Sequence, residues 1–148
     1  MKKSILTAAL ICMLAFSGCG NNSASTTSDN KAEQTEEVKA PDLTGEWKQI
    51  NSDSETSYQA ATIEGETIEI YWINEEDESK ALYWAGTYVA PETTDEPYTW
   101  DSENDKEKTD NSILASSDDT KTITYQDGQI SYEASALGVT KTIRLEKQ

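Results

Sequence analysis

The chain has 148 residues and is strongly acidic, with 28 Asp and Glu residues against 12 Lys and Arg residues and a net charge of −16. This charge argues against nucleic-acid binding, because such binding needs a basic surface that displaces counterions from phosphates. It also argues against direct docking on anionic lipid. The chain has no histidine and only two cysteines. Histidine-based acid–base catalysis and His/Cys zinc sites are therefore excluded as expected functions.

The first residues have the pattern of a secretory signal peptide. Lys2 and Lys3 precede an apolar run over residues 5–16, which is too short to span a bilayer as a helix. The segment Phe16-Ser17-Gly18-Cys19 resembles the lipobox of bacterial lipoproteins, although Phe16 stands where Leu is usual. The resemblance implies removal of residues 1–18, attachment of diacylglycerol to Cys19, and a lipid anchor in the cell membrane at its extracytoplasmic face. An ordinary signal peptide with a chance cysteine is the alternative.

Residues 19–41 have no apolar periodicity and are rich in Ser, Thr, Asn and Glu. Such a segment cannot bury enough surface to offset its ordering entropy, so we predict a disordered tether. Removal of the signal peptide would change the net charge from −16 to −18, since that segment carries two lysines and no acid. The simplest interpretation of this charge is solubility through mutual repulsion. Attraction to a cationic protein or peptide is the alternative.

Residues 42–148 form the predicted domain, and its strongest signal is the alternation of apolar and polar residues that is typical of strands. The clearest runs cover 66–73, 80–90, 120–126, 129–134 and 139–146, and weaker runs cover 45–51, 57–64, 98–102 and 112–116. Asp127-Gly128 between two of these runs is a hairpin signal. No segment predicts a long amphipathic helix. We therefore predict an all-β fold, a small antiparallel up-and-down β-barrel of about eight strands.

The two ends of the domain carry a family resemblance. Gly45-Glu46-Trp47 opens the first predicted strand, and Arg144 lies on the last. This pattern resembles the lipocalin and wider calycin families. The resemblance implies that Trp47 packs near the closed end of an eight-stranded barrel, with Arg144 across it in a cation–π contact and Gly45 allowing close approach. Another antiparallel barrel or a sandwich, with an ordinary core tryptophan and a surface arginine, is the alternative.

Few residues are candidates for catalysis. Without histidine, and with the mature cysteine used for the lipid, the common nucleophilic mechanisms are excluded, and no pair of carboxylates stands out as in glycosidases. Acids alternate over residues 101–107 as in a calcium loop, but Lys106 and Ser112 stand where an EF-hand needs Gly and Glu. We therefore expect no enzymatic activity, no cofactor and no metal.

Tyrosine and tryptophan combine an apolar body with a polar group, which suits a half-wet binding cavity. We expect Trp72, Trp84 and Tyr88 to line the mouth of the barrel and to bind a small amphipathic ligand. The alternative is an acidic interaction lipoprotein that captures a cationic protein or peptide, for example as an inhibitor of a lysozyme-like enzyme. A structural or envelope-stress lipoprotein without a soluble ligand is a third hypothesis. We expect a monomer in each case.

Overall fold

The computed structural model describes residues 39–136 and 138–148. The predicted signal peptide, Cys19 and the tether as far as residue 38 lie outside these residues. The described chain contains eight strands and one short helix, α1, between the fifth and sixth strands. Their bounds are β1 Gly45–Gln49, β2 Ser57–Glu64, β3 Thr67–Asn74, β4 Ser79–Thr87, β5 Tyr98–Glu103, α1 Lys106–Thr109, β6 Thr120–Gln126, β7 Gln129–Ala136 and β8 Val139–Lys147.

All eight strands belong to one antiparallel sheet with the order β4-β3-β2-β1-β8-β7-β6-β5. The first and last strands pair with each other, so that Trp47 faces Lys147 and Gln49 faces Leu145. The two outer strands, β4 and β5, approach each other through a bridge between Gly86 and Asn104. The sheet is therefore a nearly closed up-and-down barrel, as the alternating sequence predicts.

The strand directions define two ends of this barrel. The upper end carries the connections at residues 50–56, 75–78 and 104–119 and the β7–β8 turn at Gly138. The lower end carries the connections at 65–66, 88–97 and 127–128, and the described chain also enters there.

The lower end is filled by apolar side chains. Leu43, just before β1, is 1% exposed, and its carbonyl accepts a 2.9 Å hydrogen bond from Nε1 of the buried Trp47. Tyr88 and Trp100 are also buried, and their rings pack edge to face with their centroids 5.4 Å apart. The segment before β1 thus acts as a plug that keeps water out of this end of the core.

A β-bulge in β4 determines which aromatic side chains face inward. Ile70 of β3 pairs with Trp84, but the next residue, Tyr71, pairs with Leu82, so Tyr83 is an extra residue without a partner. As a result Tyr83 and Trp84 are both buried, at 4% and 0% exposure. The break in alternation at these two residues is the sequence signature of this bulge.

The contact between β4 and β5 requires a glycine. A Cβ atom at Gly86 would lie 2.5 Å from the carbonyl oxygen of Glu103 and 2.7 Å from Nε1 of Trp84. That Nε1 donates a buried 2.9 Å hydrogen bond to Oγ of Ser102 on β5. The missing side chain thus lets the two strands approach and this bond form.

The segment after β5 covers the free edge of β4. The backbone N–H of Asp105 donates to the Ala85 carbonyl, and that of Ser116 donates to the Tyr83 carbonyl, both at 2.8 Å. Residues 112–116 form turns in this covering segment, so the predicted weak strand there is wrong. Its alternation is short and ends in small polar residues, which favour turns.

Between residues 39 and 148, leaving aside position 137, no helix has the length and apolar character needed to cross a bilayer.

Candidate functional site

A cavity of about 320 Å³ opens at the upper end of the barrel, and we call it the mouth. Its walls are apolar and come from three strands, with Trp72 on β3, Ala134 on β7 and Val139 and Ile143 on β8. The rim is polar and includes Asp53, whose carboxylate lies 2.6 Å from Nζ of Lys141. The mouth therefore combines an apolar interior with a charged entrance.

The sequence explains how these wall residues come together. Residues 139, 141, 143 and 145 share one face of β8, and Ile143 and Leu145 are buried on the core side. Val139, at the start of the strand, is 68% exposed. The upper part of β8 thus extends beyond the packed core, which is why Lys141 can occupy a core-facing position at the rim.

Beneath the mouth lies a layer of buried polar groups, which we call the polar floor and define as Gln59, Tyr83 and Tyr132. Gln59 on β2 pairs with Trp72 on β3. The backbone N–H of Gln59 donates a 2.8 Å hydrogen bond to Oε1 of Gln49, which lines the mouth as Trp72 does. The Tyr132 hydroxyl donates to Oε1 of Gln59. The Tyr83 and Trp72 rings pack edge to face, with their centroids 5.5 Å apart.

Two groups of the polar floor have unused hydrogen-bonding capacity. Nε2 of Gln59 and the hydroxyl of Tyr83 have no partner among the residues that the structure describes. Burial raises the pKa of Tyr132 well above its usual value, so this phenol stays protonated and remains a donor. Buried polar groups are nearly always hydrogen-bonded in proteins. The two free groups are therefore exceptions to this rule, and neither residue is part of the cavity lining.

A lysine also lies inside the barrel wall. The side chain of Lys121 is 4% exposed, and its ammonium group lies 3.0 Å from the Asp118 carboxylate and 3.3 Å from the Glu133 carbonyl. It also lies 5.0 Å from the ring centroid of Trp84. A hydrogen bond from Ser116, together with the Lys121 ammonium, lowers the pKa of Asp118. The buried positive charge is thus held by a carboxylate, a carbonyl and an aromatic face.

The structure separates the three residues that we expected to line the mouth. Trp72 does line it. Trp84 pairs with the buried Ile70 and is fully buried in the middle of the barrel, where its indole N–H donates to Ser102. Tyr88 lies just after β4 at the lower end, where it is 5% exposed and where burial raises its pKa to about 12. Alternation correctly places both side chains on the inner face, but it does not show how far along the barrel they lie.

The structure does not bring Arg144 to Trp47 as the family resemblance implies. Trp47 is buried at the lower end, but Arg144 is exposed on the outer face of β8, since its neighbours in sequence both face the core. The cation–π contacts among the described residues involve Lys48, Lys80 and Lys121 and do not include Arg144. Gly45 has a φ of +121°, and a Cβ there would lie 3.3 Å from Cε of Lys147.

Gln59 and Lys121 are the interior polar residues that our sequence analysis missed. A signal for both existed in the alternation itself. Gln59 shares a face of β2 with the buried Ala61 and Ile63, and Lys121 shares a face of β6 with the buried Ile123. A polar residue on the apolar face of a strand therefore indicates a polar group inside the barrel.

The acidic run over residues 101–107 has structural partners. Asp101 accepts a hydrogen bond from the Thr122 hydroxyl, and Asp105 caps α1 by accepting from the backbone of Lys108. No group of three carboxylates in residues 39–136 and 138–148 is arranged to hold a metal ion.

Comparison with known proteins finds no matching family model, no matching curated protein and no matching solved structure.

Proposed function

We propose that this protein is a non-enzymatic, lipid-anchored binding module with a lipocalin-like barrel, and that it holds a small amphipathic ligand in the mouth. The observation that carries the proposal is the apolar cavity of about 320 Å³ at the upper end, with a charged rim. Ligand pockets of proteins span roughly 300–1,000 Å³ and combine apolar walls with a few polar groups. The volume favours a small molecule or the end of a longer one.

The chemistry of the mouth indicates how such a ligand would lie. Its apolar part would contact Trp72, Val139 and Ile143, which line the cavity. Its inner end would point toward the polar floor, where Nε2 of Gln59 and the Tyr83 hydroxyl have no partner but lie below the residues that line the cavity. A carbonyl or another neutral acceptor fits this end better than an anion, because the chain carries a net charge of −16.

The end at which the described chain enters the barrel favours this role. The described chain enters at the lower end, where Leu43 fills the barrel. A chain anchored through Cys19 would therefore reach the barrel at the end opposite the mouth, so the anchor would not need to cross the binding cavity. The lipid anchor itself is a proposal that rests on the lipobox resemblance at residues 16–19.

The binding proposal can be tested with the neutral fluorescent probe N-phenyl-1-naphthylamine. The variant Val139→Ser should weaken its binding about fivefold, since losing one buried apolar contact costs roughly 1 kcal/mol. Val89→Ser is the matched control, because Val89 is a similarly exposed valine near the lower end, at 56% against 68% for Val139. Equal effects of the two substitutions, or no binding by the unaltered protein, would contradict the proposal.

The anchor can be tested separately by mass spectrometry of the native protein. We expect a mature chain that begins at Cys19 with a diacylglycerol group on its sulfur. We also expect Cys19→Ala to release the protein from membranes. An unmodified thiol, or a mature chain with a different start, would overturn the membrane location and would leave the binding proposal intact.

A further inference from the structure

The ladder between β6 and β7 ends early. Three residue pairs join these strands, from Gln126 with Gln129 to Thr124 with Ser131, whereas eight pairs join β7 to β8. Both strands continue upward beyond the last pair, as residues 120–123 of β6 and 132–136 of β7. We call the opening between these two segments the β6–β7 gap. Within the described chain, no strand pairs with either segment on its gap side.

A groove of about 480 Å³ lies over the gap on the outer surface of the barrel. Its walls carry small hydroxyl side chains at alternate positions, including Thr120 and Thr122 on β6 and Ser131 and Ser135 on β7. Short side chains leave the backbone edges of both strands accessible. Alternate spacing is also the arrangement that an added strand meets when its own side chains point outward in turn.

Lys121 closes the inner side of the gap. Its ammonium group donates to the Glu133 carbonyl at 3.3 Å, which gives a carbonyl of β7 the hydrogen bond that a neighbouring strand would otherwise supply. Asp118 holds the same ammonium from the upper side at 3.0 Å. The gap is thus sealed from the core and open to the outside, and binding there would not require the barrel to open.

We propose that the β6–β7 gap is a docking site for an extended peptide that carries basic side chains. The peptide adds a strand to an exposed edge, so its backbone supplies affinity, as in other cases of strand addition. Charge supplies the selectivity. Asp118 and Glu133 both line the groove; the charge of Asp118 is offset by Lys121, so the exposed Glu133 carboxylate supplies the local negative charge, in a chain with a net charge of −16. The groove shares only Ser135 with the lining of the mouth, and the proposal does not depend on a ligand in the mouth.

Fluorescence anisotropy with a labelled eight-residue peptide of alternating lysine and valine tests the proposal on the full chain. The comparison peptide has the same sequence with every backbone nitrogen methylated, which keeps the charge and removes the donors needed for strand pairing. We expect the methylated peptide to bind at least tenfold more weakly. Equal binding of the two peptides would show that charge attraction alone accounts for the interaction, and this result would overturn the proposal.

Two further measurements place the peptide on the molecule. Glu133→Gln should weaken peptide binding several-fold, whereas the matched control Glu64→Gln, which removes one exposed charge at the lower end, should not change it. Hydrogen exchange should slow at residues 120–123 and 132–135 when the peptide binds. Protection at another place, or equal effects of the two substitutions, would contradict the assignment. Binding of N-phenyl-1-naphthylamine in the mouth should persist with saturating peptide.

Discussion

Replacing Gly86 by alanine tests how the barrel closes. The new Cβ would lie 2.5 Å from the Glu103 carbonyl oxygen and 2.7 Å from Nε1 of Trp84, distances at which something must move. Glu103 can retreat only if β5 moves away from β4, because the contact is to its backbone. That movement would also break the buried hydrogen bond from Trp84 to Ser102.

The expected loss in the free energy of unfolding is about 2–6 kcal/mol, the sum of two contributions. Overpacking in a well-packed core costs roughly 1–3 kcal/mol. A buried polar group that loses its partner costs about 1–3 kcal/mol more. Small domains have a total stability of about 5–15 kcal/mol, so the variant should fold but be clearly weakened.

Urea unfolding followed by circular dichroism and by tryptophan fluorescence measures this loss. Gly65→Ala is the control, because a Cβ at Gly65 meets nothing within 4 Å, whereas the φ of +58° at Gly65 adds a backbone strain that Gly86 does not have. Its cost should be only the backbone strain of about 1–2 kcal/mol. If Gly86→Ala is no more destabilising than Gly65→Ala, the close approach of β4 and β5 is not what holds the barrel together.

Two more substitutions test the lower plug and the buried lysine. Leu43→Ala should lower the free energy of unfolding by about 2–5 kcal/mol in urea titrations. The control Leu114→Ala, at an exposed leucine, should lower it by less than about 0.5 kcal/mol. Similar losses in the two variants would contradict the role of Leu43 as a plug. The pKa of Asp118 is lowered in the folded protein. The carboxylate beside Lys121 therefore stabilises the fold fully at a pH above the unfolded pKa, which is near 3.9. This stability is lost as the pH falls through the lower pKa of the folded state. The stability difference between the unaltered protein and Asp118→Asn should therefore be largest near neutral pH and shrink under acid conditions, and a difference that grows in acid would refute this. Asp119→Asn, at the neighbouring acid, is the control.

The sequence predicts the strands well because the barrel has one buried face, which imposes a period of two. The bounds of β2 and β6 agree with the predicted runs at 57–64 and 120–126, and the others differ by a few residues at their ends. The short helix α1 was not predicted, since its four residues, Lys106–Thr109, are too few to show helical periodicity.

The candidate site is less predictable, because it depends on which strands meet and where alternation slips. Trp72 reaches the mouth as expected, but Trp84 lies deeper along the barrel, opposite Ile70 of β3, and the bulge adds Tyr83 to the inner face. Lys121 on the apolar face of β6 is an irregularity near the β6–β7 gap, but the gap itself cannot be located from the sequence, since both strands continue after their ladder ends. Pairing between strands is a long-range property, and a periodicity within one strand does not encode it.

The covering of β4 has a consequence for the protein when it is crowded. An open strand edge is a template on which another copy can align. Here the carbonyls of Tyr83 and Ala85 are already engaged by Ser116 and Asp105, so that edge offers a neighbour few free acceptors. The segment after β5 therefore hinders the pairing of this edge with another copy of the chain, and so hinders the growth of fibrils. Its removal should cause aggregation before it causes unfolding.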